Sequence, residues 1–484
     1  MDNNIFTIFD IEKATQGKWT NLTVDKNVCS RVSKITTDSR ENCEKSLFIA
    51  LKGANFDGHN FVQKAIENGA VMLCVENAYK GTVPAHIPVY KVKDTLIAYQ
   101  ELARYHRLRL ENIIIVGITG SNGKTTTKEI LKNILEKEFG VNCVYATKAN
   151  TNNFIGVPQN LLNLREEHKY AVIEMGTNHP GEINVLASIA IPNIAIITSI
   201  GSSHLEFFND INGVAKEKSN IFNYFSELDK KNTTAIIPFD TLKYEDVFKS
   251  TRKNKLITFG MSESSDISYK VLESTLFKTR FSMKDMKKNI TAISEWEIIG
   301  VHHISNAAAA VSAAVTLGMP LLKAVESLSD SRLTGMRMKA NTINNSLWIN
   351  DAYNANPDST EAGLKAIKNF ITNSNFSSLF LVLGDMLELG KKSLELHKEL
   401  IHYTNEEIHN ANIILVGEIM QKAAISLKES GYKTENNLKY FATPQIAAEY
   451  IKENLKENAL VYLKGSRGVK LETIEEFYLS HHNK

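Results

Sequence analysis

The sequence predicts an α/β protein of three domains, on three observations. The chain runs to 484 residues, more than the roughly 100–200 that one compact domain takes. Short apolar runs alternate with helical periodicity through most of its length, as in βαβ units laid on a parallel sheet. One strand-to-helix junction, Gly117 to Thr126, is rich in glycine and sets a Lys-Thr pair at the start of a helix.

In chain order, residues 1–110 mix short strands with helices. The clearest helix there starts at Gly58 and ends near Asn68, with Phe61, Ala65 and Ile66 on one face. A basic helical segment from Tyr99 to Leu110 leads into Ile113-Ile114-Ile115-Val116, which reads as a buried parallel strand. Residues 111–325 form the second domain, with strands over Tyr170–Met175 and Ile194–Ile200 and helices over Thr125–Phe139 and Asn306–Leu317. Residues 326–484 repeat the alternation in a Rossmann-like third domain, with strands at Leu379–Leu383, Ile413–Val416 and Leu460–Leu463. No short-period repeat or low-complexity tract interrupts the pattern.

The bulk numbers exclude several classes. The chain is 43% hydrophobic and 23% charged, the composition of a soluble globular protein. A formal net charge of +2 leaves no global footprint for nucleic acid or anionic lipid. The four cysteines, Cys29, Cys43, Cys74 and Cys143, lack metal-type spacing, so reduced thiols in a cytosol are expected. Met1-Asp2-Asn3-Asn4 opens no signal peptide. The longest apolar stretches, around Ile191–Ile200 and Ala307–Met319, are shorter than the roughly 20 residues of a membrane span. A cytoplasmic monomer is the expectation.

Gly117-Ile118-Thr119-Gly120-Ser121-Asn122-Gly123-Lys124-Thr125-Thr126 has the context of a phosphate-binding loop, since it follows a strand and opens a helix. Glycines let backbone N–H groups turn toward phosphate oxygens, and the helix N-terminus adds its positive dipole. Lys124 would reach the β/γ-phosphates and Thr125 would offer its hydroxyl to Mg²⁺. The strict pattern wants glycine where Ile118 stands; Gly120 and Gly117 are present instead. A ligand-free glycine turn is the bland alternative. Glu174 follows an apolar strand, so it would lie at the carboxyl edge of the sheet, where α/β ligands collect. A solvated strand-end acid is its bland reading.

Further segments, in order along the chain, resemble the Mur ligases, the family that builds the peptide stem of peptidoglycan. They are Asn152-Asn153-Phe154-Ile155-Gly156-Val157-Pro158, Glu174-Met175-Gly176-Thr177-Asn178-His179, Ser199-Ile200-Gly201 with His204-Leu205-Glu206, Lys218, and Arg337 within Gly335-Met336-Arg337-Met338. The resemblance implies a central P-loop ATPase domain between an N-terminal uridine-nucleotide-binding domain and the C-terminal Rossmann-like domain. Within the family, three features are similar to those of the member that adds the final dipeptide, D-alanyl-D-alanine, to UDP-N-acetylmuramoyl-tripeptide. These are Asp351-Ala352-Tyr353-Asn354-Ala355-Asn356-Pro357, Gly384-Asp385-Met386-Leu387-Glu388-Leu389-Gly390 and Lys464-Gly465-Ser466-Arg467-Gly468.

The roles that follow are implied by the resemblance. ATP phosphorylates the substrate carboxylate, and an amine then displaces phosphate from the acyl phosphate. Two Mg²⁺ ions would stabilise the charge in flight, held by Thr125, Glu174, His204 and Lys218. Lys218 would be carbamylated by CO₂ and so carry negative charge; it ranks above Lys216 by its spacing to Ile221-Phe222. ATP would meet Gly120, Ser121, Asn122, Gly123, Lys124, Thr125, Thr126, Asn306, Arg337, Asp351 and Asn354. His303 stands where the family usually has asparagine beside adenine. Ser39, Arg40, His59, Asn152 and Asn153 would face the uridine nucleotide substrate. Catalysis would rest on Lys124, Glu174, His204, Lys218 and Arg337.

Three rivals remain at this level. The neighbouring ligase that adds the third stem residue carries an Asn-Pro-Arg element, and this sequence has none. Folylpolyglutamate synthase would not need the long N-terminal domain. A P-loop switch would carry a different acidic metal site at its strand ends and would ignore amine substrates.

Overall fold

The structure is a computed structural model that describes residues 6–21, 31–53, 56–227, 233–252, 254–275, 277–331, 335–372, 374–433 and 437–481. Cys29 and the segment Met1–Asn4 lie outside the described residues. Three large sheets organise the rest.

The first sheet runs Gly17–Thr20, Val89–Val92, Ala70–Glu76, Ser46–Ile49, Lys34–Thr36, parallel except for the edge strand Gly17–Thr20. The predicted helix at Gly58 is a single tight turn, Gly58–Phe61, followed by a helix Val62–Glu67. Its buried face is Val62 and Ala65, whereas Phe61 is exposed and stacks on Phe56. Phe61 leaves the face expected to join it to Ala65 and Ile66 because it ends the tight turn, one residue ahead of the helix. From this sheet the helix Thr95–Arg109 crosses to the second. Asp94 starts it by accepting from the Leu96 and Ile97 N–H groups.

The second sheet has nine strands, and the loop-bearing strand Ile114–Thr119 lies between Ile194–Ile197 and Tyr170–Glu174. All three are parallel and apolar, as strands buried on both faces must be. Beyond Lys255–Gly260 the sheet departs from the predicted parallel pattern. Ile267–Ser274, Thr279–Asp285 and Ile290–Trp296 form an antiparallel meander at its edge. Thr279–Asp285 alternates buried and less buried positions, the period-two signature of a strand with one wet face. Helix His302–Thr316 is buried along nearly its whole length against this sheet and helix Lys124–Phe139.

The third sheet runs Lys339–Ile343, Ser346–Asn350, Ala459–Lys464, Ser378–Gly384, Ala411–Val416, Asn437–Phe441 and is parallel except for its first hairpin. Among the described residues no helix is long and apolar enough to cross a membrane. Cys43, Cys74 and Cys143 are free, and burial pushes the Cys74 thiol up to about 12.

Candidate active site

Parallel pairing fixes where the chemistry sits. Glu174 pairs in register with Ile118, and Ile197 with Thr119. Both neighbouring strands therefore end beside the glycine loop, at the carboxyl edge of the sheet.

The loop is held by hydroxyls from the segment after Ile194–Ile197. Asn122 N–H donates to Ser199 Oγ at 2.9 Å, Ser121 N–H to the Ser199 carbonyl at 3.0 Å, and Ser203 Oγ to Ser121 Oγ at 2.9 Å. Gly123 has φ of 82°, and any Cβ there would run into the Asn306 side chain. Glycine is required at that position on both counts. Asn306 thus touches the loop directly. Lys124 Nζ donates to the Gly120 carbonyl at 2.6 Å. Burial lowers the Lys124 pKa, while the Glu174 charge raises it and the Arg337 charge lowers it. Thr125 is half-buried and Thr126 buried in the first turn of the helix.

Glu174 is 1% exposed. Its Oε1 accepts from Asn152 Nδ2 at 2.9 Å, and its buried Oε2 has no hydrogen-bond partner among the described residues. A carboxylate oxygen left bare in the interior is costly unless something cationic joins it, so this atom fits a divalent cation. Among the described residues no three His, Cys, Asp or Glu side chains come together as a metal cluster. A cation here would complete its shell with oxygens of Thr125 and of nucleotide phosphates, the habit of Mg²⁺.

Lys218 is 2% exposed on helix Ile211–Ser219, while Lys216 is exposed. Burial holds the Lys218 amine well below its ordinary range; the Lys124 charge lowers it further and Glu217 raises it. Among the described residues its amine makes no hydrogen bond or ion pair. His204 has φ of 52° and its Nδ1 bonds to Glu388 Oε2 of the third unit. That bond holds the Glu388 carboxyl below its usual range.

The third unit supplies several of the predicted residues. The Arg337 guanidinium stacks on Tyr353 at 4.0 Å from the ring centre. Asp351 is buried, paired with Lys464 Nζ at 2.7 Å and accepting from Tyr462 Oη at 3.3 Å. Lys464 also donates to the Asn354 carbonyl at 3.0 Å, and Asn354 is exposed. His303 is buried and, among the described residues, neither ring nitrogen has a hydrogen-bond partner; burial, followed by the charges of His302, Arg337 and Lys464, lowers its pKa well below the usual imidazole range.

The substrate-facing candidates divide. Asn152 touches Glu174, whereas Asn153 Oδ1 accepts from Gly156 N–H at 3.0 Å, where helix Gly156–Leu162 begins. Arg40 is exposed and forks onto Asp38, whose carboxyl it lowers to about 2. Ser39 is buried. Both ring nitrogens of His59 are engaged inside the first unit, by Asp57 Oδ1 at 2.6 Å and the Glu76 N–H at 2.9 Å.

Three contacts escaped sequence reasoning. Asn356 caps helix Pro357–Ile371 and exchanges two amide hydrogen bonds with Asn122 of the glycine loop, at 2.8 and 3.3 Å. Its Asn-Pro spacing announced the cap but not the partner. Glu388 reaches His204. Glu217 is buried and accepts from the Gly181 and Ile183 N–H groups at 2.7 Å each, tying the Lys218 helix to the start of helix Glu182–Ala190.

Three family models match in chain order: Mur ligase family, catalytic domain (residues 31–107), Mur ligase middle domain (118–314) and Mur ligase, glutamate ligase domain (336–467). The UDP-N-acetylmuramoyl-tripeptide--D-alanyl-D-alanine ligase of Bacillus subtilis is 31% identical, with 97% of each chain covered. Its Haemophilus influenzae counterpart is 34% identical over 93% of this chain and 94% of its own. A crystal structure of MurF from Acinetobacter baumannii superposes with a TM-score of 0.86 at 29% identity, covering 99% of this chain and 100% of its own. The MurF ligase of Thermotoga maritima in complex with ADP gives 0.75 at 28%, covering 92% and 97%.

Proposed function

The chain belongs to the Mur ligase family, and on that premise we propose that it joins D-alanyl-D-alanine to UDP-N-acetylmuramoyl-tripeptide at the expense of ATP. The observation that carries the reading at the site is the buried Glu174 carboxylate, one oxygen unpartnered, facing the loop lysine Lys124. The full-length likeness to relatives bearing that activity supports the choice of substrates over the neighbouring ligase step.

In this reading the glycine loop and Lys124 hold the ATP phosphates. The bond from the γ-phosphorus to ADP breaks as one forms to the tripeptide carboxylate, and Lys124 and Arg337 neutralise the oxygens that gain charge. The dipeptide amine then attacks the acyl carbon, phosphate departs, and the amine proton is lost. The residues of the third unit seated on the loop exclude water, which would otherwise hydrolyse the acyl phosphate. Thr125 with Glu174, and His204 with Lys218, would hold Mg²⁺, which when bound supplies further charge neutralisation. Lys218 suits that role once carbamylated. Burial shifts its amine toward the neutral form, the form that attacks CO₂, making an N–C bond and releasing a proton. Asn152 and Arg40 are the candidates nearest in chemistry to an anionic, amide-rich substrate.

The test is phosphate release from ATP with UDP-N-acetylmuramoyl-tripeptide, with and without D-alanyl-D-alanine. Release that requires both, with a product heavier by one dipeptide, is expected. Release indifferent to the dipeptide would overturn the assignment. For Lys218, carbon-13-labelled bicarbonate should give a carbamate resonance that Lys218→Met abolishes; an unchanged resonance would place the carbamate elsewhere.

A further inference from the structure

The contact between His204 and Glu388 joins a residue just past a strand of the second sheet to a loop of the third. Three features show that this contact is built. The first is how firmly the Glu388 loop is held. Met386 N–H donates to His397 Nε2 at 2.9 Å, and His397 is itself fully buried. Leu387 N–H donates to Ser466 Oγ at 2.9 Å. The second is backbone geometry. Glu388 and His204 both adopt left-handed conformations, with φ of 63° and 52°, a region that non-glycine residues occupy uncommonly. The third is the second strand of contact alongside the first. Glu206 N–H donates to the Glu388 carbonyl at 3.2 Å, and the Gly390 backbone lies so close to Glu206 that a Cβ there would not fit.

The ring has two nitrogens and this contact takes Nδ1. Among the described residues no hydrogen bond reaches Nε2. An imidazole that gives its Nδ1 proton to a carboxylate has its tautomer and plane fixed and turns a more basic Nε2 lone pair outward.

We propose that Glu388 is a positioning residue: by accepting from His204 Nδ1 it orients Nε2 toward a divalent cation, so that the cation site is complete only when the third unit is seated. This rests on the reading above that His204 holds a cation. Glu388 itself touches neither cation nor substrate. Its side chain is 42% exposed and that of His204 18%, so substitution at Glu388 opens no cavity.

The experiment measures Mn²⁺ binding to the full chain with ADP present, by electron paramagnetic resonance of free Mn²⁺, for the wild type and for His204→Ala, Glu388→Ala, Glu388→Gln and the His204→Ala/Glu388→Ala double variant. His204→Ala should weaken or abolish one class of Mn²⁺ site. Glu388→Ala should weaken the same class about ten-fold, the usual effect of losing a group that orients a metal-bound histidine. Glu388→Gln keeps length and an acceptor and should fall between the wild type and Glu388→Ala. The double variant should bind as His204→Ala does. In phosphate release, Glu388→Ala should raise the half-saturating Mg²⁺ concentration while kcat recovers at high Mg²⁺. If His204→Ala weakens Mn²⁺ and Glu388→Ala does not, the positioning role is wrong and the cation reading survives. If His204→Ala leaves Mn²⁺ binding unchanged, both fall together. Glu388→Ala lowering kcat at every Mg²⁺ concentration, with Mn²⁺ binding intact, would reduce the contact to simple docking.

Discussion

The joint between the first and second sheets and the joint between the second and third are made of opposite materials. At the first, one continuous apolar cluster runs from Phe6, Leu47 and Tyr99 through Leu161 and Ile173 to Leu186 and Ile197. Helix Thr95–Arg109 lies across it. Buried Arg107 donates to the Ala190 and Ile191 carbonyls at 3.1 and 3.3 Å and to Asn193 Oδ1 at 2.9 Å, closing the end of helix Glu182–Ala190. At the second joint the contacts among the described residues are mostly polar. They are the Asn122–Asn356 amide pair, Ser202 N–H donating to Asp358 Oδ2 at 2.6 Å, Glu206 N–H donating to the Glu388 carbonyl at 3.2 Å, and His204 with Glu388. The apolar share is Leu396 against Leu205, Phe208 and Val214, together with Ile299 in the core of the third unit. Apolar area makes the first joint costly to open, whereas polar contacts at a wet seam exchange with water at little net cost. The first joint is part of a core, and the second is a seat that can be left and retaken.

Removing the clamp of the first joint should have the largest effect. Arg107→Met leaves several buried carbonyls without a donor and should cost about 4 kcal/mol, read as a lower midpoint in urea unfolding. An unchanged midpoint would mean that the joint does not depend on it.

Next comes acid. His106, in the same helix, is buried, with Nε2 bonded to the Leu164 carbonyl at 3.0 Å and Nδ1 unpartnered. Burial drives its pKa down to about 4 from 6.5. The unfolded chain therefore takes up this proton first as pH falls. The stability is intact above pH 6.5 and is lost between 6.5 and 4, by about 3 kcal/mol in total. His106→Gln should lose that much less over the same window, and parallel pH profiles for the two proteins would refute the assignment.

The smallest effect belongs to the seat. Asn356→Ser keeps a good helix cap but gives up the amide pair to Asn122. We expect kcat/KM for ATP to fall about ten-fold, near 1.4 kcal/mol, with the melting midpoint unmoved. A loss of stability with activity preserved would reverse the contrast between the two joints.

How much of this was legible follows the same divide. The glycine loop, its strand and its helix were readable because local periodicity and turn chemistry determine them. Glu174 was readable because an apolar run ends there. Lys218 over Lys216 was a choice of spacing, and the helix does bury the one and expose the other. The antiparallel meander over 267–296 was missed, its wet face diluting the apolar signal. Asn356 and Glu388 could be quoted as parts of motifs, but their partners lie 234 and 184 residues away in sequence. No local pattern encodes such pairings. The same holds for His59, where the turn was visible and the capture of both ring nitrogens was not.

The two kinds of contact at the seat answer differently to their surroundings. The Asn122–Asn356 pair is neutral on both sides, each amide giving and receiving, and it fails if either amide is turned over. Dissolved salt barely changes it. The neighbouring contacts through Asp358 and Glu388 involve charge near the surface, which added ions screen within about 8–10 Å at ordinary ionic strength. Orientation at the seat therefore stays constant across ionic conditions, while the hold that keeps it occupied weakens as salt rises.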